Sequence, residues 1–130
     1  MTLRKPYLIS WLAVPVLMLM GFLFRQHTVD IHLYDTYFVI ANNHVALAGA
    51  ALLLVAGLGY WLLQKIGKMP NVTLTVFHLL PTIGVLMLLA LPVASDSDLM
   101  GAEWFFLIVF ALLVGQCAYI ANILITLLRK

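Results

Sequence analysis

Four uninterrupted apolar runs, at about residues 7–24, 38–63, 72–91 and 104–128, constrain this chain more than any other feature. Crossing the hydrocarbon core of a bilayer takes roughly 20 residues of helix, and each run is close to that length or above it. Hydrophobic residues make up 65% of the 130, charged ones only 9%, and the mean hydropathy is +1.10. A water-facing surface cannot be assembled from what remains. In lipid a helix satisfies its own backbone hydrogen bonds. The sequence therefore predicts an all-α integral membrane four-helix bundle, with residues 1–130 as a single membrane domain.

The few charges are sorted by loop. Arg4, Lys5, Lys65, Lys68, Arg129 and Lys130 fall at the N-terminus, in the second loop and at the C-terminus. Asp30, Asp35, Asp96, Asp98 and Glu103 all fall in the first and third loops, and only Arg25 breaks the partition. The positive-inside rule then predicts both termini in the cytoplasm and the loops at Asp30 and Asp98 outside. A net charge of +2 with no basic patch excludes a nucleic-acid surface. Arg4 and Lys5 would suit the start of a secretory signal. The apolar stretch after them is long for one, however, and no small-residue cleavage site precedes Arg25, so the first run is expected to stay as a helix. Cys117, alone in the fourth run, rules out a disulfide framework and a cysteine-based metal motif. It reads as a small packing residue.

Within the runs, spacing predicts which faces meet. Pro15 in helix one removes a backbone bond and should bend that helix. In helix two, Ala46, Gly49, Ala50, Leu53, Ala56, Gly57 and Tyr60 recur at three- and four-residue steps, a seam of mostly small residues that admits a neighbouring helix closely. Helix three carries His78 three residues before Pro81, where backbone, Thr73 or Thr82 are the expected partners of the ring. In helix four, Gly115, Tyr119, Asn122 and Thr126 share a face with Gln116 beside it, which reads as interhelical glue rather than a transport path. Asn71-Val72-Thr73 is formally a glycosylation acceptor, but on the cytoplasmic side the match has no meaning.

The polar stretch from Val29 to His44 stands apart. It holds His32 and His44, Asp30 and Asp35, and the pair Asn42-Asn43, and it leads into the second apolar run. Polar groups concentrated at a membrane boundary are costly and call for a reason. Asp35 or Thr36 is a suitable N-cap for helix two. The run Leu33-Tyr34-Asp35-Thr36-Tyr37-Phe38-Val39-Ile40-Ala41-Asn42-Asn43-His44 resembles the L-H-D-T-Y-[YF]-V-[VI]-A-H-F-H motif of subunit I of the haem–copper respiratory oxidases. As a whole the chain resembles the C-terminal four helices of that subunit standing alone, as in short bacterial membrane proteins with a subunit I-like segment.

The resemblance implies site residues one position at a time. The two histidines of the family motif ligate the high-spin, oxygen-binding haem and the low-spin haem. Asn42 stands at the first position, so the high-spin haem loses its ligand, because a carboxamide is a poor donor to iron. His44 stands at the second and is implied as a low-spin haem ligand. Asp35 matches the family acid near the haem propionates and a magnesium ion. Tyr34 replaces the adjacent histidine, and His32 is the substitute within reach. The earlier helices that supply copper ligands, catalytic tyrosine and proton-conducting acids have no counterpart, so no copper is expected and the chain is not a catalyst alone.

Two readings follow. In one, the chain is an accessory or haem-associated component of a respiratory membrane complex, in the bacterial inner membrane, partnered by oxidase subunits or by a second copy. In the other, it is a non-enzymatic scaffold without cofactor. His44 and His78 enter their helices from opposite sides, at depths differing by roughly 10 Å, so an intrachain haem between them is not expected. A two-fold dimer would instead place His44 opposite its own copy. Without iron, Asn43, Gln116, Asn122 or a backbone carbonyl are the expected partners of His44.

Overall fold

The computed structural model describes residues 4–92 and 102–129. In chain order it contains α1 (Pro6–Leu23), β1 (Thr28–Leu33), β2 (Thr36–Ala41), α2 (Asn42–Lys65), α3 (Val72–Ala90) and α4 (Ala102–Leu128). Four helices are long and apolar enough to cross a membrane. The acidic third loop, with Asp96 and Asp98, lies outside the described residues apart from Glu103, which sits in the first turn of α4.

One expectation needs correction. The chain is mostly helical but not all-α, and α2 starts at Asn42 rather than near residue 38. The intervening residues form an antiparallel hairpin in which Thr28 pairs with Ala41 and Leu33 with Thr36. Thr-Val-Asp-Ile-His-Leu and Thr-Tyr-Phe-Val-Ile-Ala are rich in β-branched and aromatic residues, which fit a pleated surface better than a first helical turn. Alternation settles the inner face: Val29 and Ile31 are buried while His32 is exposed. Asp35 therefore occupies the two-residue loop with Tyr34, whose φ of 51° is left-handed. Neither Asp35 nor Thr36 caps a helix. The residue before α2 is Ala41, with no side-chain cap.

Each helix pairs chiefly with its chain neighbour, α1 with α2 and α3 with α4. The seam read in the second run is the buried face of α2, from Ala46 through Gly49, Leu53 and Gly57 to Tyr60. Leu17 and Leu53 are fully buried between the helices, with Ala46 and Leu86 beside them. Gly21 permits a close approach of α1 to α2: a Cβ there would lie 2.3 Å from the Ala46 Cβ. The Ser10 hydroxyl, also buried, donates to the Leu53 carbonyl at 2.6 Å.

The ends are stitched by polar groups. Asn71 caps α3, its side chain accepting from the Thr73 and Leu74 amides. Lys68 Nζ donates to the carbonyls of Leu127 and Arg129, which α4 leaves unpaired at its C-terminus. Gln64 at the end of α2 reaches the Arg4 carbonyl. Helices α1 and α3 stay helical through Pro15 and Pro81.

Candidate functional site

The hairpin fixes the polar residues read from the sequence. Asp30 accepts from the Thr28 hydroxyl and from the Tyr37 hydroxyl, each at 2.7 Å. These two bonds, the Thr28 bond foremost, hold the Asp30 carboxyl below its usual range, and the Asp30 bond in turn pushes the Tyr37 phenol up. His32 lies across from Tyr37 in the ladder, with ring centroids 4.3 Å apart. Asp35 is exposed in the loop and makes no hydrogen bond among the described residues. Thus the acid and His32 share one hairpin, but His32 is occupied by Tyr37 and the engaged carboxylate is Asp30.

At the junction of hairpin and helix, Asn42 is only 2% exposed. Its amide nitrogen Nδ2 donates to the Ala90 carbonyl at 3.0 Å and to the Phe24 carbonyl at 3.3 Å. Its backbone amide donates to the His27 carbonyl at 3.2 Å. Those acceptors are the last residue of α3, the residue that closes α1, and the segment leading into the hairpin. Carbonyls at helix ends have no partner within the helix, so a side chain with two N–H donors is suited to tie two such ends together. A histidine offers no such pair from one nitrogen. Sequence reasoning treated Asn42 only as a lost ligand, and its role was not legible because the two acceptors are distant in the chain.

His44, two residues later, is exposed. Its backbone amide bonds the Asn43 side chain at 3.0 Å, but its ring has no hydrogen-bond partner among the described residues. None of the side chains expected to hold the ring does so: Gln116 donates to Thr82, and Asn122 serves the α3 cap.

His44 lines a cleft of about 510 Å³. One wall is α2, with His44, Val45, Ala48, Gly49 and Leu52. The facing wall is α4, with Phe105, Ile108, Val109 and Leu112. Leu86 and Leu89 of α3 form the floor, and Val29, Ile31 and Ile40 of the hairpin roof the outer end. A volume of this size is ordinary for a small-molecule site. His44 is the sole titratable side chain among the lining residues.

Near the opposite end of the bundle lies a polar and aromatic cluster. The Tyr60 hydroxyl and His78 Nδ1 are 3.0 Å apart, and the rings of His78 and Tyr119 are 4.8 Å apart. Tyr60 was read as part of the packing seam, and the partner of His78 proves to be this hydroxyl rather than Thr73 or Thr82. Next to it Asn122 donates to the Asn71 carbonyl and to Thr75 Oγ1, at 3.1 and 2.9 Å, and accepts from the Asn71 amide at 2.8 Å. The stripe on α4 is thus interhelical glue, as its spacing implied.

The high-spin haem position does not fit, since Asn42 is buried and its amide donors are spent on two carbonyls. At the low-spin position one chain offers a single imidazole. His44 is the third residue of α2, about 3 Å along its axis. His78 is the seventh residue of α3, a helix entered from the other end; its Nδ1 lies 3.0 Å from the Tyr60 hydroxyl, while its Nε2 is buried without a hydrogen-bond partner. Among the described residues no three His, Cys, Asp or Glu side chains group to hold a metal ion.

No family model matches the chain, and no solved structure matches it. Over 56 residues it is 36% identical to cytochrome c oxidase subunit 1 of Thermostichus vulcanus. That match covers 42% of this chain but only 10% of the relative, so the chain spans about a tenth of the protein it resembles. The resemblance to subunit 1 is thereby supported over one segment of the chain.

Proposed function

We propose that this protein is a multi-pass membrane component, similar in part to cytochrome c oxidase subunit 1, that serves as a non-catalytic accessory chain in a respiratory membrane complex. The observation that carries the reading is Asn42. At the position where the family motif has a haem-ligating histidine, this chain has a buried side chain that ties the ends of α1 and α3 together. A motif kept in its outer form but rebuilt into a helix clasp suits a structural role better than oxygen chemistry. The four membrane-length helices and the partial match to an oxidase subunit supply the setting. His44 is not given an iron in this reading, and the bacterial inner membrane is the location that goes with it.

Tagged protein purified in mild detergent from its own host membranes tests the reading through its visible spectrum. Oxidase haem bands should co-elute with the tagged chain, in amounts unchanged by His44→Ala, because the haem belongs to the partner. A colourless chain eluting alone would favour a free-standing scaffold and defeat the accessory role. A band lost in His44→Ala but kept in His78→Ala would make His44 a ligand, with a second copy supplying the other imidazole.

A further inference from the structure

We infer that the groove between the start of α3 and the end of α4 holds an acidic phospholipid, its phosphate on Arg129 and Asn71 and its acyl chain on Ile125 and Leu128. The inference goes beyond the accessory role and does not depend on it. Its first support is unbalanced charge. Arg4, Lys5, Lys65, Lys68 and Arg129 gather at one end of the bundle, where Gln64 holds the Arg4 carbonyl and Lys68 the carbonyls of Leu127 and Arg129. The five Asp and Glu side chains all fall at residues 30–35 and 96–103, and no ion pair forms among the described residues. Lys68 is spent on its two carbonyls, and Lys65 lies over the Trp61 ring. The charged groups of Arg4, Lys5 and Arg129 are exposed and make no hydrogen bond among the described residues. Their counter-charge has to come from outside these residues. Cations fixed at a membrane surface draw it from anionic lipid.

The groove at this end has the chemistry of such a lipid. Asn71, Ile125, Thr126, Leu128 and Arg129 line a space of about 460 Å³. Its walls are held together: Asn122 accepts from the Asn71 amide at 2.8 Å and donates to the Asn71 carbonyl at 3.1 Å, and Thr126 Oγ1 lies 3.5 Å from Asn122 Oδ1. Asn71 Oδ1 is turned to the Thr73 and Leu74 amides, which leaves its Nδ2 without a partner among the described residues. Asn71 Nδ2 and the Arg129 guanidinium are both donors, the complement of phosphate oxygens. Arg129 directly follows a helix of membrane length, at the level where phosphates lie. Ile125 and Leu128, 53% and 80% exposed, precede it on that helix. Ile125 is four residues back, about 6 Å along the axis, so head and chain contacts fall within one lipid. A soluble anion would pair with Arg129 and leave both apolar side chains unused.

The test is native mass spectrometry of the full-length protein in detergent, titrated with phosphatidylglycerol or with phosphatidylcholine of the same acyl chains. Phosphatidylglycerol should bind about tenfold more tightly, and the preference should shrink as ammonium acetate is raised. Arg129→Gln should weaken phosphatidylglycerol about fivefold. Ile125→Trp, which fills the groove from an exposed position, should weaken it by a similar factor. Arg25→Gln removes a cation at the hairpin end and should leave it unchanged. Equal affinity for the two lipids would overturn the acidic occupant. An equal loss in Arg25→Gln, or no loss in both Arg129→Gln and Ile125→Trp, would overturn the groove as the site. Glycerol phosphate competing as well as phosphatidylglycerol would make a free phosphate the ligand. Displacement of the lipid by polyglutamate at lower concentration would assign the groove to an acidic partner segment. Either result would overturn the lipid.

Discussion

Asn42 and Asp35 show how differently two polar residues of one motif are used. Asn42→Ala strips the buried Ala90 carbonyl of its side-chain donor and leaves the Phe24 carbonyl with the His27 amide alone, and should cost about 1–2 kcal/mol. Asp35→Ala removes an exposed loop side chain and should change stability by less than about 0.5 kcal/mol. Thermal unfolding of both variants in one detergent checks the contrast, and equal losses would restore Asp35 to a structural role. Asp30 carries the electrostatics of the hairpin. Its carboxyl is held below the ordinary range by Thr28 and then Tyr37, so this contribution to hairpin stability is present above the unfolded value near 3.9. It is lost as the pH falls through the lower, folded value. Thr28→Val should therefore move the Asp30 titration, followed by carboxyl carbon chemical shift, upward toward the unfolded value.

At the scale of elements, glycines separate packing from propensity. Gly21 faces Ala46, with the Asn42 carbonyl and the Asn43 Cα 3.7 Å from the place a Cβ would take. Neither neighbour is a flexible side-chain tip, so Gly21→Ala must push α1 away from α2 and should cost about 1–3 kcal/mol. Gly84 has nothing within 4 Å of a Cβ, and Gly84→Ala should gain about 0.5–1 kcal/mol from helix propensity. Unfolding in mixed micelles distinguishes the signs. The seam on α2 was legible in the sequence because a helix repeats its neighbours every three or four residues. The hairpin was not. Its strands, six residues each, abut a long apolar run, and the apolar residues of β2 merged with the run that follows. Alternation at Val29 and Ile31 was the available signal. The cleft was equally hidden, since its walls come from chain segments that only the packing of α3 and α4 brings opposite α2.

For the molecule as a whole, the polar stitching gathers the cations at one end. Lys68 bonds the carbonyls of Leu127 and Arg129, and Gln64 bonds the Arg4 carbonyl, so the backbone at Arg4 and at Leu127–Arg129 is held against the end of α2 and the loop that follows it. Lys65 joins them there, its ammonium 4.8 Å from the Trp61 ring centroid. The hairpin end carries Asp30 and Asp35, and Arg25, the exception there, lies 5.5 Å from the Phe22 ring. A basic end opposed to an acidic one is the pattern that orients membrane proteins with the basic end in the cytoplasm. In a Cys117→Ala background, a membrane-impermeant maleimide added to intact cells should label Tyr34→Cys, at a site 89% exposed at the hairpin tip. It should label Met69→Cys, in the α2–α3 loop, only after the membrane is opened. The opposite result would place the hairpin and the His44 end of the cleft on the cytoplasmic side, and the charges at the two ends would then have failed to set the orientation.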